Sequence, residues 1–160
     1  MELSSFDRKC FDKAVQLAYQ AEQEGNLPIG AVISYQNAII AEGRNAIWFP
    51  QYRPDRHAEV EAMRKVPEDL WKFSSDMTLY TTLEPCLMCL AACLLHHIGR
   101  VIFGSADDYG GASMVIGHLP TFFSQQASRT EWIGPAHPSV CDELFKRVMQ
   151  KVEIWQEQGD

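Results

Sequence analysis

The chain has 160 residues, 46% of them hydrophobic and 22% charged, and a formal net charge of −7. A chain of that length and balance can bury a full core in one domain without disulfide staples, which excludes wholesale disorder. The acid excess counts against a large nucleic-acid partner, whose phosphates call for lysine and arginine. No membrane span is expected, because the longest uncharged apolar run, residues 86–95, is half of the roughly 20 residues that a bilayer requires. Met1-Glu2-Leu3-Ser4-Ser5 holds no apolar run, and the five cysteines form an odd set. Both features point to a reducing compartment, the cytoplasm.

In chain order, residues 5–24 predict an amphipathic helix. Phe6, Cys10, Ala14, Leu17, Ala18 and Ala21 recur at three- and four-residue spacing, Ser4 or Ser5 can cap the start, and Gly25-Asn26 closes it. Ile29 to Tyr35 and Ala38 to Arg44 read as two strands joined by a turn at Gln36-Asn37. A loop with two prolines follows, carrying Trp48, Phe49, Tyr52, Arg53 and Arg56. A helix is predicted to open at about Asp55, its cap, with His57, Ala58 and Glu59 in the first turn and Pro67 beyond its end. Met77 to Thr82 reads as a buried strand. A second helix is predicted from Glu84-Pro85, apolar on every side from Cys86 to Leu95 and hence buried in the core or at a subunit interface. Val101 to Gly104 is a short strand and 107–118 a glycine-rich loop. A short helix over 119–127, a strand over 130–133 and a closing helix over about 139–155 complete the chain. This alternation predicts a single domain, 1–160, built as a three-layer α/β/α sandwich around a central five-stranded mixed sheet.

The chemistry concentrates at His57-Ala58-Glu59 and Pro85-Cys86-Leu87-Met88-Cys89. Cys86 and Cys89, three apart, share one helix face. At a helix start the positive end of the dipole favours the thiolates that zinc needs. An imidazole and two thiolates leave a fourth position open, which is the layout of a catalytic zinc; structural sites are closed by four protein ligands. Glu59 is placed to shuttle protons and should stay off the metal. His57 and Glu59 are only two apart, and such residues do not share a helix face. They converge only if the pocket lies off the end of the helix, where the amide of Ala58 also faces a ligand.

These residues resemble the cytidine-deaminase superfamily, in particular its branch of bacterial tRNA adenosine deaminases, guanine deaminases and cytosine deaminases. The resemblance covers roughly residues 27–111. It rests on Leu27-Pro28-Ile29-Gly30-Ala31-Val32, Asn45, His57-Ala58-Glu59, Thr82 to Cys89, and Ile98-Gly99-Arg100-Val101-Ile102-Phe103-Gly104. The order H-x-E then P-C-x-x-C is the signature of zinc deaminases acting on nucleobases. The resemblance implies one zinc per chain on His57, Cys86 and Cys89, Glu59 as proton shuttle, Asn45 as a contact to the base (with the capping of a turn as the alternative), and a homodimer whose interface closes the sites. Asp55-Arg56 stands before the histidine motif where tRNA-editing members carry threonine. The tail beyond Asp108 and the acidic carboxyl terminus also differ from theirs.

The leading reading is therefore hydrolytic deamination of a purine or pyrimidine base or nucleoside, with tRNA adenosine-to-inosine deamination second. A zinc-stabilised module without catalysis is the alternative from another class. Cys93 continues the face of Cys86 and Cys89 and is read as a core residue, with ligation as the alternative. The Trp48-Phe49 and Tyr52 cluster either stacks on a base or covers the core. Arg44, Arg53 and Arg56 are read as a charged surface loop, with a phosphate contact as the alternative. His96, His97, His118 and His137 have no partner spacing.

Overall fold

The computed structural model describes residues 2–159. Its elements are α1 (Ser5–Gln23), β1 (Gly30–Tyr35), β2 (Ala38–Arg44), α2 (Ala58–Arg64), β3 (Thr78–Leu83), α3 (Leu87–Leu95), β4 (Arg100–Ser105), α4 (Thr121–Ala127), β5 (Glu131–Ile133) and α5 (Pro138–Gly159). The five strands form one mixed sheet in the order β2-β1-β3-β4-β5. The β1–β2 and β1–β3 pairs are antiparallel, while β3–β4 and β4–β5 are parallel. The expected α/β sandwich is the observed fold.

Alternation along the strands explains the layers. Ala31, Ile33, Leu79 and Val101 point to one core with Ala58, Ala62, Met63 and Cys93 of α2 and α3. Their neighbours Val32, Tyr80 and Ile102 point to the other, against Cys10, Phe11 and Leu17 of α1. Because both faces are covered, these strands read as continuous apolar runs. The α5 helix packs on β4 and β3, with Arg147 and Lys151 paired to Glu22 of α1.

Local chemistry sets the ends of the elements. Ser4 caps α1 in a reciprocal box: its hydroxyl accepts from the Asp7 amide at 3.1 Å, and the Asp7 carboxylate accepts from the Ser4 amide at 2.8 Å. Gln36 and Asn37 both have positive φ, 50° and 58°, the backbone that a two-residue hairpin turn requires.

Two helix starts differ from expectation. The second helix begins at Ala58 rather than Asp55, because the Asp55 carboxylate is held by Arg53 and Arg64 instead of capping. The third begins at Leu87 rather than at Glu84-Pro85. Cys86 bridges to Gly111 in extended backbone, and the Glu84 carboxylate accepts from the amides of Asp107 and Ser113. The segment between Pro67 and Met77, unassigned from sequence, winds into a 3-10 stretch, Glu68–Asp76. Short 3-10 turns also break the 107–118 loop. The closing helix runs to Gly159, beyond the expected end.

Candidate active site

The shift in the two helix starts is what assembles the site. His57 is the N-cap of α2, in extended backbone with φ −75° and ψ 152°. Its ring therefore leaves the helix end on a different course from that of Glu59, one turn position inside. The pocket lies off the end of the helix, so residues two apart can converge on it. Cys86 is likewise the N-cap of α3, with Cys89 in its first turn. Gly43 of β2 lets α2 approach: a Cβ there would lie 2.1 Å from the Ala58 carbonyl oxygen and 2.3 Å from the Ala62 nitrogen. Only a residue without a side chain fits between that strand and the first turn of the helix.

The His57 Nδ1 atom lies 3.5 Å from Cys86 Sγ and 3.6 Å from Cys89 Sγ. Ideal tetrahedral zinc, with Zn–N near 2.05 Å and Zn–S near 2.3 Å, places its nitrogen and sulfur ligands about 3.6 Å apart. The three side chains fit one zinc ion, and they are the only such group of three donors among the described residues. Cys93 is fully buried in the core beside α2, its thiol pushed far up by burial, and it is outside this group.

Among the donors themselves, the Cys86 thiol is lowered to about 4. A hydrogen bond from Cys89 does most of this, overcoming burial, and His57 helps. Cys89, fully buried, is pushed well up as the donor in that contact and by its burial. Burial opposes the His57 cation, but the Cys86 hydrogen bond and the nearby Glu59 charge raise its pKa on balance.

Glu59 is 3% exposed. Its Oε1 accepts from Thr81 Oγ1 of β3 at 3.0 Å, and its Oε2 lies 3.4 Å from Cys89 Sγ. Burial pushes its carboxyl up, against the pull of the His57 charge. A carboxyl raised in this way exchanges protons nearer to neutral pH than a surface glutamate does.

Beside the triad is a cavity of about 160 Å³, into which His57, Glu59 and Cys86 open. That is below the roughly 300–1,000 Å³ of sites for drug-sized ligands. Its far wall is the apolar face of α5, made by Phe145, Val148, Met149 and Val152. Sequence reading missed this wall, whose only trace is apolar spacing in the last helix. It also missed Glu84, whose carboxylate anchors the 107–113 loop at the cavity edge.

The structure brings His57, Glu59, Cys86 and Cys89 together. Asn45 and Ala58 lie behind them, outside the cavity lining. Asn45 is 1% exposed, and its Oδ1 accepts from the amides of Leu27 and Ile47, both at 3.3 Å. Trp48 and Tyr52 pack on Trp155 of α5, with ring centroids 6.0 and 5.9 Å apart, so the aromatic loop clamps the end of the helix that walls the site. His96 packs tilted against Trp71 and His97 bonds Gln126, so neither joins the triad.

Comparison with known proteins places this geometry. Residues 4–105 match the family described as cytidine and deoxycytidylate deaminase zinc-binding region. The tRNA-specific adenosine deaminase of Haemophilus influenzae is 40% identical over 111 residues, 68% of this chain and 64% of that protein. Its counterpart in Bacillus subtilis is 36% identical over 115 residues, 71% of this chain and 70% of that one. This chain thus spans just under two thirds of the Haemophilus relative. Among solved structures, one from studies of A-to-I editing by tRNA:A34 deaminases at the wobble position of transfer RNA has a TM-score of 0.64 at 31% identity, over 71% of this chain and 90% of that one. The guanine deaminase of Bacillus subtilis has a TM-score of 0.58 at 25% identity, over 97% of this chain and 95% of that one. All four residues that converge here fall inside the matched region, and the chain belongs to the zinc-binding cytidine and deoxycytidylate deaminase family, whose general reaction is hydrolytic deamination.

Proposed function

We propose that this chain, as one domain, removes the exocyclic amino group of a free purine or pyrimidine base or its nucleoside, releasing ammonia. The observation that carries the reading is the small cavity beside the triad, closed on its far side by the apolar wall of α5. A planar ring suits a space of about 160 Å³, and the acid excess of the chain opposes a polyanion such as RNA. Likeness to a guanine deaminase over nearly the whole chain, α5 included, supports the same reading.

In this proposal His57, Cys86 and Cys89 hold one zinc, which supplies the Lewis acidity that makes water a nucleophile near neutral pH. Glu59 is the catalytic residue. It takes one proton from the attacking water and delivers it to the ring nitrogen, then takes the second from the newly added hydroxyl and passes it to the departing amine. A C–O bond forms, the C–N bond breaks, and the carboxylate is restored. Thr81 fixes one oxygen of Glu59, leaving the other beside Cys89 to carry the proton. Asn45, whose Oδ1 holds the amides of Leu27 and Ile47, is the proposed contact to the base. The Ala58 amide is the remaining contact offered by the helix end.

A homodimer in the cytoplasm completes the proposal. Leu87, Met88, Leu95, Met114 and Phe122 stand exposed on and around α3 and α4. An apolar surface of this kind supports association with a second copy. Among the described residues no helix is long and apolar enough to cross a membrane.

The test is ammonia release by the zinc-loaded protein from bases, nucleosides and tRNA across a salt series. Turnover of a free base or nucleoside that is insensitive to salt is expected. Turnover of tRNA alone, falling steeply with salt, would replace this reading by RNA editing.

A further inference from the structure

A second cavity, of about 370 Å³, is lined by none of His57, Glu59, Cys86 or Cys89. It is more than twice the volume of the catalytic one and within the range of sites that hold a ligand of nucleotide size. Three cations from different elements meet there: Arg44 at the end of β2, Arg56 in the loop before α2, and Lys65 just past its end.

The two arginines are held in place. Arg44 forks onto Glu24 of α1 at 2.9 and 2.8 Å, and Arg56 forks onto Glu61 of α2 at 3.3 and 3.0 Å. Each fork uses Nε and one terminal nitrogen, so each guanidinium keeps further N–H donors for another acceptor. The Arg44 cation is favoured by Glu24 and opposed by the nearby Arg56 charge. Lys65 is exposed and has no ion pair among the described residues. Glu24 and Glu61 also line the cavity, so its three cations leave one net positive charge in a chain of −7.

An aromatic surface stands beside these cations. The Phe49 side chain is 58% exposed, yet its backbone is rigidly held. Asn26, fully buried, accepts from the amides of Trp48 and Phe49, both at 2.9 Å, and donates to the Phe49 carbonyl at 3.1 Å. A ring presented to water on fixed backbone is preorganised to stack.

We propose that this cavity binds a nucleoside monophosphate, with the phosphate on Arg44, Arg56 and Lys65 and the base on Phe49. Three cations suit a phosphate dianion better than a single carboxylate. The acidic chain as a whole opposes a polyanion, so the ligand is a free nucleotide rather than a strand of RNA. The assignment is independent of which base the catalytic site deaminates.

Binding of AMP and GMP to the zinc-loaded protein, followed by calorimetry, tests the proposal. The comparison proteins are Lys65→Glu and Phe49→Ala, both changed at exposed residues outside the catalytic cavity. Each variant is expected to bind the nucleotides about ten-fold or more weakly while releasing ammonia from the screened substrate at the parental rate. Adenosine should bind this site more weakly than AMP. An unchanged nucleotide affinity in both variants would overturn the assignment, as would binding that requires an oligonucleotide or that vanishes when zinc is chelated.

Discussion

Glu59→Gln separates catalysis from structure at the centre of the site. The substitution is nearly isosteric, and the amide oxygen can still accept from Thr81 Oγ1, the 3.0 Å bond that anchors the native side chain. The amide nitrogen then faces Cys89 sulfur, 3.4 Å from the native Oε2, where a donor suits a thiolate. The glutamine also loses the cost of keeping a charge in a site 3% exposed. Stability should therefore change by no more than about 1 kcal/mol, the net value of one hydrogen bond. Proton transfer by a placed side chain contributes roughly 10²–10⁴ in rate, or about 3–5 kcal/mol of barrier. The variant should keep one zinc per chain and its melting temperature while kcat/KM for ammonia release falls by that factor. Metal content by mass spectrometry, thermal unfolding and a coupled ammonia assay on one preparation give all three numbers. Activity within about ten-fold of the parent with zinc intact would refute the role of Glu59; loss of zinc would mean that the carboxylate belongs to the metal's coordination.

Other outcomes follow from the same geometry. Cys86→Ala should lose zinc and all ammonia release. Cys93→Ala should keep both at a cost of about 1 kcal/mol, as for a small group removed from a core, measurable by denaturant unfolding with metal analysis. Asp7→Asn should destabilise the fold by about 1–3 kcal/mol at neutral pH, since Asp7 closes the α1 cap and accepts from Tyr80 Oη at 2.7 Å. Burial raises the Asp7 carboxyl, but its bonds from Ser4 and Tyr80 win and lower it. The advantage of the aspartate is therefore full above the ordinary carboxylate pKa of about 3.9 and fades as pH falls through the lowered folded value, which unfolding at several pH values would reveal. In the proposed homodimer, Leu87→Lys, on the exposed start of α3, should leave the fold intact and shift sedimentation from dimer to monomer; a parent protein that already sediments as a monomer would refute the dimer.

The order of strands and helices, the capped first helix and the metal-binding chemistry were legible in the sequence because each rests on short-range information. Apolar spacing sets element type, Ser4 and Asp7 meet within one turn, and thiolates with imidazole select zinc wherever they converge. Helix starts were less legible. Asp55 is a good cap by type, yet Arg53 and Arg64 occupy its carboxylate, and Glu84 is drawn away by amides 23 and 29 residues further on.

Only the tertiary structure decided what surrounds the chemistry. That Val148 and Met149 wall a pocket around His57 depends on α5 folding back over the sheet, held by Arg147 on Glu22 and by Trp155 on Tyr52. Arg44, Arg56 and Lys65 come from three elements and share a cavity only because α2 lies against Gly43. The sequence alone pointed to a class of reaction, since the candidate metal ligands and proton shuttle are recognised by residue type. The shape of the space in which that reaction occurs was decided by contacts between distant residues, which no local pattern encodes.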